Sequence, residues 1–129
     1  MTIELNHTIV RSHDAAAAAE FLADILGLPV GKRWGPFLPI VLGNGAVLEF
    51  LEVGEETVQS QHYAFLVDND EFDRGLARIE ESGIDFWADP FDSRPREINT
   101  LYGGRGVYFV DPSGHKMELM TVAYGEVPQ

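Results

Sequence analysis

The stretch GVYFVDPSGHKMELM, from Gly106 to Met120, decides how the rest of the chain is read. Val107 to Val110 is β-branched and aromatic, Asp111-Pro112-Ser113-Gly114 is a turn sequence, and Lys116 to Val122 resumes an alternating pattern, so a β-hairpin is expected. Alternation puts Lys116, Glu118 and Met120 on one face and Met117, Leu119 and Thr121 on the other. A lone carboxylate among apolar neighbours is either a solvated position or a ligand, and Glu118 by itself does not separate the two.

Working outward, Ile3 to Val10 alternates as a strand, with His7, Ile9 and Arg11 on one face. His13-Asp14 opens an alanine-rich helix that Gly27 closes, with His13 expected as its cap. Leu28 to Trp34 and Phe37 to Leu42 are strand candidates separated by Gly35-Pro36, and Gly43-Asn44-Gly45 turns into a further strand over Ala46 to Val53. The pattern then restarts: a strand from His62 to Val67 precedes a helix capped around Asp68 and stopped by Ser82-Gly83. A short strand over Ile84 to Trp87, an irregular stretch over 88–104 and the terminal hairpin follow. Strand, helix and further strands therefore occur twice, as repeats of about 1–57 and 58–125 within one domain of residues 1–129.

Superposing the repeats pairs His7 with His62 and Glu49 with Glu118, each on a strand. The second repeat is longer, and 88–104 absorbs the difference. Two imidazoles and two carboxylates suit a divalent first-row metal and leave room for two further oxygen ligands. The bland alternative is four ordinary strand residues, but ligand-type side chains at repeat-equivalent positions favour a metal site at His7, Glu49, His62 and Glu118.

Bulk properties narrow the partners. The 129 residues carry nine Lys and Arg against 21 Asp and Glu, a formal net charge of −12. Such a charge repels phosphate backbones and anionic membranes, so neither nucleic acid nor a membrane is expected. There is no cysteine, which excludes thiolate ligands and nucleophiles. With no signal-peptide pattern and no membrane-length apolar run, a cytoplasmic location is expected.

The four ligand positions, the duplication and the motif VYFVDPSGHKMEL resemble the vicinal oxygen chelate superfamily: glyoxalase I, fosfomycin-modifying enzymes, bleomycin resistance proteins and extradiol dioxygenases. That resemblance implies an α+β fold of two βαβββ repeats, an open cupped mixed sheet around a metal with helices on its outer face, and a homodimer. It further implies a small-molecule substrate bound through vicinal oxygens. The ligand order His, Glu, His, Glu is nearest glyoxalase I, which implies lyase or isomerase chemistry through a metal-stabilised enediolate, with Glu118 or Glu49 as the base. The ion would be nickel, cobalt, zinc, manganese or iron. Arg11 matches the arginine with which that family holds a glutathione carboxylate, whereas Val53 stands where it has asparagine.

Other members of the superfamily imply other residues. An extradiol-type dioxygenase would use iron and a phenol from Tyr102 or Tyr108. A fosfomycin-type enzyme would need cations such as Arg94, Arg96, Arg105 and Lys116. A metal-free drug-binding protein would use an aromatic groove including Trp34, Phe37, Phe86, Trp87 and Phe91. The segment Asp92 to Arg96 is either a lid over the site or a plain surface loop.

Overall fold

A computed structural model describes residues 2–124. Met1 and the expected end of the second repeat at 125 lie outside the described residues. The chain divides into two compact units, residues 1–59 with 111–114 and residues 60–110 with 115–129. Each holds one mixed sheet and one helix, which gives the α+β class.

In the first unit, β1 (His7–Ser12) runs parallel to β3 (Val47–Glu52), and β2 (Phe37–Val41) runs antiparallel on β3's other side. Helix α1 (Ala15–Leu26) buries Ala15, Ala18, Ala19, Leu22, Ala23 and Ile25. Small side chains at these spacings let the helix lie close to the sheet face of Val10, Ile40, Leu48 and Phe50, all of them buried. Asp14 is the helix N-cap, accepting from the Ala17 N–H at 3.0 Å, and Gly27 closes the helix at φ 69°. The expected capping role of His13 is thus corrected: its Nδ1 lies 2.6 Å from the Gly54 carbonyl. Asp wins because its short carboxylate reaches back to the first turn.

Two strand expectations also change. Residues 3–6 precede the first β1–β3 pair, His7 with Val47, and Ile3 and Leu5 stay exposed. Leu28 to Trp34 is not a strand; only Trp34 bridges to Phe37, and Gly31 N–H donates to the Pro39 carbonyl at 2.8 Å. Pro39 has no N–H to return, so a ladder cannot close on that side. The first unit is therefore βαββ.

The second unit has the order β4-β7-β6-β5, with β4 (His62–Leu66) parallel to β7 (Lys116–Met120). Strand β6 (Gly106–Val110) is antiparallel to both β7 and the two-residue β5 (Phe86–Trp87). The expected hairpin is present, and this unit is βαβββ. Helix α2 (Asn69–Ser82) is capped by Asp68, which accepts from Glu71 N–H at 2.7 Å. Phe72 and Ile79 are buried on the helix, and Phe65, Phe109, Met117 and Leu119 are buried on the sheet face of opposite parity to Glu118. No helix among the described residues is long and apolar enough to cross a membrane.

Candidate functional site

Register fixes which side chains share the sheet face away from each helix. In the second unit, Ala64 and Tyr108 flank Glu118 on the neighbouring strands, and Trp87 pairs with Tyr108. Glu118 is 1% exposed, while the His62 side chain is 47% exposed. His62 Nε2 lies 3.0 Å from Glu118 Oε1. The Tyr124 hydroxyl donates to Oε2 of the same carboxylate and lies 3.3 Å from the Tyr108 hydroxyl. The solvated-face reading of Glu118 is excluded by this burial.

Burial raises the Glu118 pKa, because an ion stripped of water is disfavoured; hydrogen bonds from Tyr108 and His62, and the imidazole charge, pull the other way. Tyr108 is raised too, first by burial and then by the Glu118 charge beside it, so its hydroxyl keeps its proton. The His62 and Tyr108 rings are 5.8 Å apart. Together these residues form a carboxylate with one imidazole and two phenols around it.

In the first unit, His7, Glu49 and Trp34 line a depression of about 250 Å³, with Asn6, Ile9, Phe37 and Val47. The Trp34 and Phe37 rings stack at 6.0 Å and 19°. His7 Nδ1 is 2.8 Å from the Asn6 side-chain oxygen; as the donor there, Nδ1 leaves the lone pair on Nε2. Glu49 is half-buried, and its Oε2 is buried with no hydrogen-bond partner among the described residues. An orphaned carboxylate oxygen and a ligand-ready imidazole on one wall fit a cation. Among the described residues, however, no group of three or more His, Cys, Asp and Glu gathers in metal-holding array. Each unit brings together one histidine and one carboxylate.

The other expected residues fall differently. Arg11 is on the face of His7 and Glu49 and lies 3.8 Å from Glu56. Tyr102, at φ 55°, meets the Tyr124 ring at a tilt of 36° with centroids 5.4 Å apart. Arg105 is turned onto α2: it bonds Asp73 at 2.7 Å, bonds Asn69, and covers the Phe72 ring at 4.5 Å. Lys116 shares the Glu118 face, but its Nζ donates to the Pro90 carbonyl at 2.6 Å. Arg94 meets Glu97, and Arg96 sits over Phe86. The segment Asp92 to Arg96 is tied down as a surface loop: Asp89 accepts from Ser93 and Arg94, and Trp87 bridges to Pro95.

Two residues were not anticipated in their roles. Tyr124 follows the last strand, yet its parity matches Glu118, Met120 and Val122, which was the available signal. His115 is buried, accepts the Gln61 N–H on Nδ1 at 3.0 Å, and meets the Tyr63 ring edge-on; it ties the start of β7 to β4.

Comparison with known proteins adds to this geometry. Residues 4–119 match the family model described as Glyoxalase/Bleomycin resistance protein/Dioxygenase superfamily. A solved structure named Oxidase ChaP-H2 is 52% identical, with a TM-score of 0.94 over 98% of both chains. The glutathione transferase FosA of Serratia marcescens is 28% identical over 124 residues, 92% of this chain and 81% of its own. The metallothiol transferase FosB of Staphylococcus epidermidis is 27% identical over 121 residues, 91% of this chain and 80% of its own.

Proposed function

The chain belongs to the Glyoxalase/Bleomycin resistance protein/Dioxygenase superfamily, and on that premise we propose that it is a metal-dependent oxidase of a small organic substrate with neighbouring oxygens. The observation that carries this reading is the 52% identity, over 98% of both chains, to a protein named an oxidase. The proposed donors are His7, Glu49, His62 and Glu118, for a divalent ion; oxidation requires one that changes oxidation state, which puts iron before nickel, cobalt or manganese and sets zinc aside. When bound, the ion would polarise the substrate oxygens and carry electrons toward dioxygen.

The protein's own groups do the rest. Glu118, shielded from water, would take a proton from a substrate hydroxyl through Oε1 on leaving the ion. Tyr108, which holds its proton, would turn its hydroxyl from Glu118 to donate a hydrogen bond to substrate oxygen. Ile9, Trp34, Phe37 and Val47 offer apolar surface for the carbon skeleton beside His7 and Glu49. His62 Nε2, 3.0 Å from Glu118 Oε1, would turn its lone pair to the ion.

A fosfomycin-type transferase is less well supported, since Arg94, Arg96, Arg105 and Lys116 are each engaged with other groups. The glyoxalase-like reading keeps one observation in its favour, the unpartnered Glu49 Oε2, which suits a fourth ligand or a second base. Arg11 would then hold a substrate carboxylate. A homodimer belongs to the same proposal and is checked by sedimentation.

The deciding experiment loads the protein with iron(II), nickel(II) or zinc(II) and measures oxygen uptake with a panel of ortho-diphenols and hydroquinones. A hemithioacetal of methylglyoxal and glutathione is assayed in parallel. Iron-dependent uptake, lost in Glu118→Gln, is the expected result. Turnover of the hemithioacetal with nickel and no oxygen uptake with any compound would replace the oxidase by the lyase.

A further inference from the structure

We propose that Tyr124 is a positioning residue for Glu118: its hydroxyl engages Oε2 and so reserves Oε1, on the His62 side, for the metal. This rests on the metal reading above. The two oxygens of the buried carboxylate have different partners, Tyr124 on Oε2 and His62 Nε2 on Oε1, with Tyr108 also bonded to the carboxylate. Of the two partners the imidazole is the commoner ligand of a divalent ion, and it binds without giving up the proton a phenol must lose. His62 Nε2 and Oε1 would hold the ion, while Tyr124 would stay on Oε2. Carboxylates that ligate are commonly held by a further hydrogen bond of this kind.

The placement of Tyr124 is built from several contacts. A Cβ added at Gly104 would come within 2.8 Å of Thr121 Oγ1 and Val122 Cγ2, so only glycine lets the 101–104 turn lie this close to the segment after β7. Arg105 N–H donates to Thr121 Oγ1 at 2.9 Å, and Thr121 N–H donates to the Arg105 carbonyl at 3.0 Å. From that anchored segment the Tyr124 ring rests on Tyr102, whose φ of 55° is costly for an aromatic residue and is sustained by its surroundings. The Tyr108 hydroxyl, at 3.3 Å, supports the phenol from the strand side.

The consequence concerns open positions. A carboxylate held through one oxygen takes one coordination place, whereas one that swings to ligate through both takes two. Keeping Glu118 to one oxygen leaves a further place for the vicinal oxygens of a substrate.

The test uses the full chain with cobalt(II) alone as the probe. Tyr124→Phe keeps the ring on Tyr102 and removes only the hydroxyl. Affinity, read by competition with a chelating dye, is expected to fall about 10- to 100-fold. The cobalt visible absorption is expected to weaken and shift toward higher coordination number, a change that loss of packing alone does not produce. Tyr102→Ala, which leaves the hydroxyl but removes its support, should move the spectrum the same way by less, and it stands in should Tyr124→Phe fail to fold. Unchanged affinity and spectrum in the folded variants would overturn the role of Tyr124 while leaving the metal reading intact. Failure of the unaltered protein to bind cobalt would overturn both.

Discussion

At the scale of single residues, two repeat-equivalent carboxylates sit in opposite surroundings. Glu118 is enclosed and shared among an imidazole and two phenols, whereas Glu49 keeps one buried oxygen with no partner. An orphan acceptor of that kind costs about 1–3 kcal/mol until something positive or protic meets it. Metal binding should therefore raise the melting temperature, by an amount corresponding to about 2.7 kcal/mol when the ion is at 100 times its Kd. Glu49→Gln is expected to shrink that metal-dependent rise and to leave the metal-free melting temperature nearly unchanged, as calorimetry with and without chelator would reveal. An equal rise in both proteins would remove Glu49 from the donor set. Asn99 and Gly106 form a second residue-scale case. A Cβ at Gly106 would meet Asn99 Nδ2 and Oδ1 at 2.8 Å, and Nδ2 donates to the Ala88 carbonyl at 2.8 Å. Gly106→Ala should cost about 1–3 kcal/mol by overpacking. The double variant with Asn99→Ala should cost less than the sum of the two single changes, a non-additivity that urea titration measures directly.

At the scale of elements, the two helices are started by the same device on very different sequences. Asp14 caps an alanine-rich helix and Asp68 caps a charged one. Asp14→Ala is expected to destabilise the protein by about 1 kcal/mol, since the Ala17 N–H loses its acceptor; His13 cannot replace it while it is engaged with Gly54. A midpoint of denaturation equal to that of the unaltered protein would refute the capping role. The loop after β5 is organised by Asp89, whose pKa is lowered first by the Ser93 hydroxyl and also by the backbone N–H groups of Arg94, Ser93 and Phe91. Its folded value lies below its unfolded one. Its contribution is therefore present above the ordinary aspartate range, about 3.9, and is lost as pH falls through the folded value. Hydrogen exchange at the Ser93 and Arg94 amides should show protection above the ordinary aspartate range that declines as pH falls below it. In Asp89→Asn the protection should already be low at the higher pH and should change little.

At the scale of the whole molecule, a net charge of −12 on 129 residues acts as a distributed self-repulsion. Salt screens it, so raising ionic strength to about 0.5 M should increase the melting temperature. A decrease would mean that specific ion pairs such as Arg105 with Asp73 outweigh the repulsion. The same scale separates what was legible beforehand from what was not. Alternation, helical spacing, aspartate caps and the Asp111 to Gly114 turn are properties of neighbouring residues. They determined two repeats of strand, helix and strands, the terminal hairpin and the faces on which His7, Glu49, His62 and Glu118 lie. Failures came where the outcome depended on a distant partner. Leu28 to Trp34 has strand composition but meets a proline that cannot complete the ladder; Arg105 carries a free-looking charge that α2 claims; Tyr124 follows the end of the last strand, where parity alone does not say what its hydroxyl meets. Periodicity states which way a side chain points, because that is set by local backbone geometry. Whether Glu118 is enclosed, and by which hydroxyls, was decided only when chain segments far apart in sequence met across the sheet.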